Sequence, residues 1–412
     1  MKIASIALGF VSTLLLARLL TPEQYGGYAY ALAWVNLLVV PVVFGLDKLM
    51  IRKISIFDAD GQWGMMRGIQ RFSNSIVAAL GVIVAIAVYF AASLFGSHID
   101  TVLVEPLRVA MVLVPLIALA RLRSAVMIGL HHVVRGTFPE MVLRPVLFIL
   151  FVSLAHLLFW ESFDATEAVM ANICAVAIAF AVGIVLLKRV VPEPVNSAVA
   201  EYAPASWLGG AAPLVLLAGL QIVNSRVDII MLGVMRGAVD VAVYNVVSQG
   251  AMLASFILVA ANGVLSPVVA KMYAQGERPR LQRLVTKSSR AIFAATLPIV
   301  LVLILFGRPF LSLFGEQYAG GYFALLVLLT GQILNTAFGA VGVLLTMTEH
   351  GGLAAKGAAV SVIVNIVLNA ALIPLWGVEG AATASMLTLF LWNLLFAVFV
   401  YQNLGIRPTV VG

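Results

Sequence analysis

The chain has 412 residues, of which 62% are hydrophobic and only 10% charged, and its mean hydropathy is +1.08. A soluble domain carries about a quarter charged residues, so this chain has too little polar surface to be covered by water, and lipid must solvate most of it. The net charge of +7 does not point to nucleic acid, because the cations are spread over alternate loops instead of gathered in one basic patch.

A transmembrane helix needs about 20 mostly apolar residues to cross a hydrocarbon core of about 30 Å. Twelve such runs follow one another, near 2–20, 27–50, 72–95, 104–130, 140–160, 165–188, 205–235, 240–268, 288–314, 319–346, 354–374 and 377–403. Stretches such as LGVIVAIAVYFAASLF do not alternate, which excludes a membrane β-barrel with its strands of about 10 residues. Each span must therefore satisfy its backbone groups within a helix. The first run lacks a small-x-small cleavage site and closes on Arg18, so it reads as a retained first helix and not a signal peptide. The expected fold class is an all-α polytopic membrane protein with twelve transmembrane helices. Cys174 is the single cysteine and lies inside a predicted helix, so no disulfide forms within the chain.

Counting spans from a cytoplasmic N-terminus puts all but Arg18, Arg108, Arg226, Arg236 and Arg308 of the 25 Lys and Arg residues on the inner side. Most acids fall in the outer turns. This positive-inside pattern predicts cytoplasmic N- and C-termini, and it tests the count, because one missed span would scramble every later loop.

RVVPEPVNSAVAEYAP, 189–204, breaks the helical pattern with Pro192, Pro194 and Pro204. It divides the chain into an N-terminal six-helix bundle (1–189), a linker (190–204) and a C-terminal six-helix bundle (205–412). A shift of 216 residues superimposes the two apolar profiles and places Tyr28 on Tyr244, Ser73 on Ser289, Ala168 on Ala384 and Ala181 on Ala397. Six spans is an even number, so the halves are parallel repeats about an axis along the membrane normal, an arrangement used by transporters. Residues 201–216 have no counterpart, since theirs would precede Met1. The repeat thus predicts an amphipathic segment ahead of Met1, or its loss.

The most informative stretch is QIVNSRVDIIML, 221–232, inside the seventh span. At 100° per residue, Gln221, Asn224, Ser225 and Asp228 share one narrow face, and Arg226 points away from its centre. An ionisable group inside a span costs roughly 3 kcal/mol or more unless it faces a cavity or a partner. The face either lines a hydrated path or clamps the span to its neighbours, where such bonds contribute about 0.6 kcal/mol on average. A buried Asp228 would also titrate and couple a proton.

Arg18 either meets the substrate or anchors at the headgroups. Arg121 and Arg123 lie two residues apart in the fourth span and point to nearly opposite sides, so at most one faces a cavity, unless the span ends early and both are inner anchors. Arg144 reads as an interface anchor. Gln332 with Asn335, Asn365 with Asn369, and Asn393 read first as interhelical glue, and Gly380 with Ala384 as a close-packing pair. KMYAQGERPRLQRLVTKSSR, 271–290, reads as a basic inner loop on the anionic leaflet, each nearby cation contributing about 1 kcal/mol. His131 and His132 lack further ligands at useful spacing, so no metal is expected.

Four segments carry a family resemblance: LLLARLLTPEQYGGYAYALAWVNLL (14–38), NSRVDIIMLGVMRGAVDVAVYNVVSQ (224–249), NGVLSPVVAKMYAQGERPRLQRLVTKSSR (262–290) and LIPLWGVEGAATASM (372–386). In this order they resemble the polysaccharide flippases of the multidrug/oligosaccharidyl-lipid/polysaccharide (MOP) exporter superfamily, over essentially the whole chain. The resemblance implies two six-helix bundles forming a V around a central cavity. It also implies export of a lipid-linked oligosaccharide, commonly on undecaprenyl diphosphate, from the inner to the outer leaflet. The charged pair in GLDKLM, 45–50, departs from the small or neutral residues of the family and leaves the end of span two open.

Three functions compete: a lipid-linked oligosaccharide flippase, a drug/cation antiporter of the same superfamily, and a membrane enzyme acting on the same lipid. An enzyme of that kind needs sizeable outer loops with catalytic carboxylates, whereas ESFDATE, 161–167, is the one acidic cluster there. The spans hold several arginines against one clear carboxylate, which favours an anionic substrate. The substrate-binding candidates are Arg226, Asp228, Asn224, Gln221, Arg18, Arg121 and Arg123, lining a water-filled, positively charged crevice. No cofactor is expected, and coupling to H+ or Na+ stays open. The implied location is the bacterial inner membrane. The expected partners are a lipid-linked oligosaccharide, membrane lipids and other proteins of polysaccharide synthesis.

Overall fold

The computed structural model describes residues 1–95, 100–158, 163–348 and 350–411. These residues contain helices, turns and extended segments, and no strand occurs among them. In chain order the helices are α1 (Lys2–Leu19), α2 (Pro22–Val43), α3 (Leu46–Ala59), α4 (Trp63–Phe95), α5 (Thr101–Ala110), α6 (Leu113–Gly129), α7 (Val133–Phe138), α8 (Arg144–Leu158), α9 (Ala165–Lys188), α10 (Glu193–Ser197), α11 (Pro204–Arg236), α12 (Ala238–Ala274), α13 (Arg278–Leu305), α14 (Gly307–Ser312), α15 (Tyr322–Phe338), α16 (Val341–Met347) and α17 (Gly351–Leu404).

Among the described residues eight helices are long and apolar enough to cross a membrane, and the bent α5–α6 pair, taken as one span, makes a ninth. The 54-residue α17 is two helices joined at Gly377, whose φ/ψ is non-helical just after Pro374. Counting it twice and adding α1 and the 33-residue α11 gives the twelve spans expected. Apolar side chains stand outward along them, among them Ile83, Phe90 and Leu94 on α4 and Val367 and Leu375 on α17. Water would not tolerate such stripes, but lipid does.

Proline chemistry explains most departures from the uniform helices expected. The fourth span bends by 42° between α5 and α6, where the ring of Pro115 would meet the carbonyl of Met111. Pro145 acts likewise on Met141, and the chain opens into a π turn at Pro139–Leu143, closed by the Arg144 N–H on the Pro139 carbonyl. The run expected near 27–50 is two helices, because Phe44 and Gly45 take left-handed conformations with φ of 49° and 70°. GLDKLM thus opens a separate helix, α3, with Asp47 in its first turn. The basic loop expected over 271–290 is instead almost wholly helical. α12 runs to Ala274 and α13 resumes at Arg278, since Lys, Arg, Gln and Leu are good helix formers and Pro279 suits a first turn.

Contacts group the chain into two units, Met1–Ile222 and Val223–Gly412, so the division by contacts falls within α11. In the first unit α6 packs on α2, α3, α4 and α9; in the second α15 and α12 pack on α17 and α13. At the 216-residue shift the start of α12, Ala238, falls on the start of α2, Pro22, and its end falls beside the end of α3. One continuous helix in the second unit therefore matches two in the first.

Each unit is also strapped by the segment after its last span. The linker lies along α4, where Arg67 donates to the Ala198 carbonyl at 2.5 Å and the Glu201 N–H to Gly64 at 3.0 Å. A Cβ at Gly68 would lie 1.7 Å from the Glu201 carbonyl oxygen, so this approach requires glycine. The C-terminal tail crosses α13 in the same way. Gln282 exchanges two bonds with the Arg407 backbone at 2.8 and 2.9 Å, and Ser289, the repeat partner of Ser73, donates to Pro408 at 3.0 Å.

Candidate functional site

Each unit buries polar side chains among its spans. In the first unit, α6 carries Arg123 inward; its side chain is 3% exposed and donates to Glu140 of the π turn at 3.3 Å. The guanidinium lies against α9 at Gly183, where a Cβ would sit 1.1 Å from Nη1. Arg144, at the start of α8, donates to Asn172 of α9 at 3.3 Å, and the Asn172 amide donates to the Tyr28 hydroxyl of α2 at 3.0 Å. Arg121 is half-buried, with Asp47, Glu140 and Arg144 as its charged neighbours. The two arginines thus have separate surroundings, as their spacing requires.

In the second unit, Asp228 of α11 is buried. Its Oδ1 accepts from the Asn369 amide at 2.7 Å, and its Oδ2 accepts from the Tyr244 hydroxyl at 2.8 Å and from the Ser385 hydroxyl. Tyr244 and Ser385 lie 2.8 Å apart, and the Asn369 amide also donates to Asn365 Oδ1 at 2.5 Å. Among the described residues Asp228 is in no ion pair, and the buried Asn369 Oδ1 has no donor. One carboxylate held by neutral groups alone, an amide N–H and two hydroxyls, suits a proton or a small monovalent cation. No group of three His, Cys, Asp or Glu side chains gathers to hold a metal among the described residues.

The face read on α11 divides. Gln221 and Ser225 are exposed, Asn224 is half-buried with a partnerless Oδ1, and Asp228 turns wholly inward. Arg226 is half-buried and, among the described residues, joins no ion pair. Arg18 is exposed in the last turn of α1. Sequence reasoning did not assign Tyr244, Ser385, Asn172 or Glu140 to a site. The pairing of Tyr28 with Tyr244 under the 216-residue shift was the signal that could have found the first. The other polar pair behaves as structural glue: Asn335 donates to Gln332 at 3.2 Å, and Asn393 reaches Asn335 at 3.0 Å across helices.

Comparison with known proteins places these features in a family. Residues 1–273 match the family model described as polysaccharide biosynthesis protein, and residues 213–374 match the MatE model. The probable low-salt glycan biosynthesis flippase Agl15 of Haloferax volcanii is 22% identical over 184 residues. That match covers 44% of this chain and only 39% of the relative, well under half its length.

Among solved structures, an inward-facing multidrug resistance MATE family transporter of the MOP superfamily superimposes with a TM-score of 0.81 at 14% identity, covering 98% of this chain and 95% of that one. The lipid II flippase MurJ in an inward closed conformation gives 0.77 at 13% identity, covering 96% and 85%. A MOP superfamily transporter from Pyrococcus furiosus, whose binding pocket is described as reversed in polarity, gives 0.69 at 14% identity, covering 98% and 94%. The family model spans well over half of the chain, and the chain shares the fold of these solved transporters: it belongs to the polysaccharide biosynthesis protein family.

Proposed function

We propose that the chain is a flippase that moves a lipid-linked oligosaccharide, on undecaprenyl diphosphate or a similar carrier, from the inner to the outer leaflet for surface polysaccharide synthesis. The observation that carries this reading is Arg226, a half-buried guanidinium in a membrane-spanning helix that joins no ion pair among the described residues. Such a cation calls for an anionic ligand. A diphosphate head suits it, because the planar guanidinium gives two parallel hydrogen bonds. The exposed amide and hydroxyl of Gln221 and Ser225, with Asn224, suit sugar hydroxyls on the same helix. Arg18 and Arg121 are further candidates for the head, and Arg123, already held by Glu140, ranks last.

Transport proceeds by alternating access. The head group follows a hydrated path while the acyl tail stays in lipid, which spares the phosphates transfer into hydrocarbon. Asp228 is the coupling group: a proton or sodium ion joins its carboxylate among Asn365, Asn369, Ser385 and Tyr244 and drives the return step. The protein resides in the cytoplasmic membrane with both termini inside, works beside other polysaccharide-synthesis proteins, and does no covalent chemistry itself.

A second reading, an ion-coupled exporter of cationic drugs, is favoured by the MatE match that covers the Asp228 helix. Deleting the gene and extracting lipids separates the two. The flippase reading expects one lipid-linked glycan to build up on the inner leaflet. Unchanged glycan lipids with increased sensitivity to cationic drugs would favour the exporter instead.

A further inference from the structure

The N-terminal unit also holds a polar space whose lining includes neither Tyr28 nor Asn172. A cavity of about 490 Å³ lies between α4, α6 and α9, lined by Gln70 and Asn74 of α4, Arg123 and Leu119 of α6, and Phe180 and Ile184 of α9. Three helix ends meet there. Gln70 is in the second turn of α4, Arg123 is close to the end of α6 at Gly129, and the lining extends to the residue before Lys188, where α9 stops. Arg71, Lys188 and Arg189 are exposed at the same ends and join no ion pair among the described residues.

The buried lining atoms that find no partner among the described residues are all donors. Arg123 is 97% buried by side chain, and Glu140 takes only its Nη2. Its Nε and Nη1 have no acceptor among the described residues, and neither does Gln70 Nε2. A buried donor left without a partner costs about 1–3 kcal/mol, and more when charged. Gly183, bare of a side chain, makes room for the guanidinium at this wall. Leu119 and Val126 of α6 and Phe180, Ile184 and Leu187 of α9 make the rest of these two walls apolar.

We infer that this cavity binds the phosphodiester head of an anionic glycerophospholipid. Arg123 and Gln70 donate to its phosphate oxygens, and an acyl chain runs along Leu119, Phe180 and Ile184. Cationic pockets between transmembrane helices at the cytoplasmic side are the general setting for such heads. The volume lies in the lower half of the range for small-ligand sites, about 300–1,000 Å³. The lining comes from α4, α6 and α9 and includes no residue of α11, which carries Arg226. The inference holds whatever the protein transports.

Native mass spectrometry of the full chain in mild detergent, titrated with phosphatidylglycerol, phosphatidylcholine or inorganic phosphate, tests it. Wild type should retain phosphatidylglycerol about tenfold better than phosphatidylcholine, and inorganic phosphate should not displace it. Arg123→Gln with Glu140→Gln removes both charges together and leaves an amide pair, so the unit keeps its fold. Retention should drop about tenfold in this variant, and about threefold in Gln70→Leu. Equal retention in wild type and both variants, or phosphatidylcholine held as well as phosphatidylglycerol, would overturn the site. Displacement by inorganic phosphate would overturn the lipid as its ligand.

Discussion

Tyr28 and Tyr244 occupy matching positions in the two units, and each hydroxyl reaches a polar side chain on the last span of its own unit, Asn172 in one and Ser385 in the other. What that side chain touches next differs in sign. In the first unit Asn172 holds Arg144, and the nearby Arg123 has Glu140 as its counter-ion. In the second unit Ser385 and Tyr244 hold Asp228, and no cation pairs with it among the described residues. A twofold repeat has thus kept its tyrosine and changed the charge beside it. Arg123 is anchored by a carboxylate, whereas Asp228 is held by neutral groups alone and its charge has no opposite charge beside it among the described residues.

If that contrast is right, the largest effect belongs to Asp228→Asn. Transport of the lipid-linked glycan should drop about 100-fold, and the response to H+ and Na+ gradients should vanish. The variant should lose only about 1–3 kcal/mol of stability, because the new amide places an N–H among groups that already donate. Flux assays and detergent melts on one preparation separate the two effects. Next comes Arg123→Leu, which strands Glu140. It should cost about 3 kcal/mol, at the lower limit for a broken buried pair because Glu140 is 22% exposed, and adding Glu140→Leu should recover most of the loss. A double variant no more stable than the single would show that the pair is not structural.

Gly183→Ala sharpens the same point from the other helix, since its methyl would occupy the place of the guanidinium. A loss of about 1–3 kcal/mol in thermal melts is expected. The smallest effects come from the matched pair Tyr28→Phe and Tyr244→Phe, at about 1 kcal/mol each. Only Tyr244→Phe should alter the ion dependence of transport. A change of equal size from Tyr28→Phe would erase the distinction between the units.

The spans, their number and their repeat were legible because lipid imposes a length and a composition on each helix, and six-plus-six symmetry checks the count. Breaks were less so. Pro115 and Pro145 carried a local signal for the α5–α6 bend and the π turn, yet an apolar run reads as continuous when only its hydrophobicity is scored. The turn at Phe44 and Gly45 left no such mark apart from the charged Asp47 and Lys48 that follow it. The stretch 271–290 misled because its basic residues say which side of the membrane it lies on and nothing about its backbone.

At the candidate site, helical geometry singled out Asp228 and the neighbour spacing singled out Asn365 with Asn369. That these meet across 141 residues follows from tertiary packing, which no periodicity encodes. The same packing exposed Gln221 and Ser225 while burying Asp228, although all three share one face of an ideal helix.

One measurement addresses the central claim most directly. The purified chain is reconstituted in liposomes carrying an undecaprenyl-diphosphate oligosaccharide, and the glycan reaching the far leaflet is followed with an impermeant lectin under an imposed cation gradient. Wild-type vesicles should expose glycan on that leaflet, Arg226→Ala should slow this about tenfold or more, and Asp228→Asn should match empty vesicles whatever the gradient. Exposure at the wild-type rate in both variants would contradict the assignment of substrate to Arg226 and of coupling to Asp228.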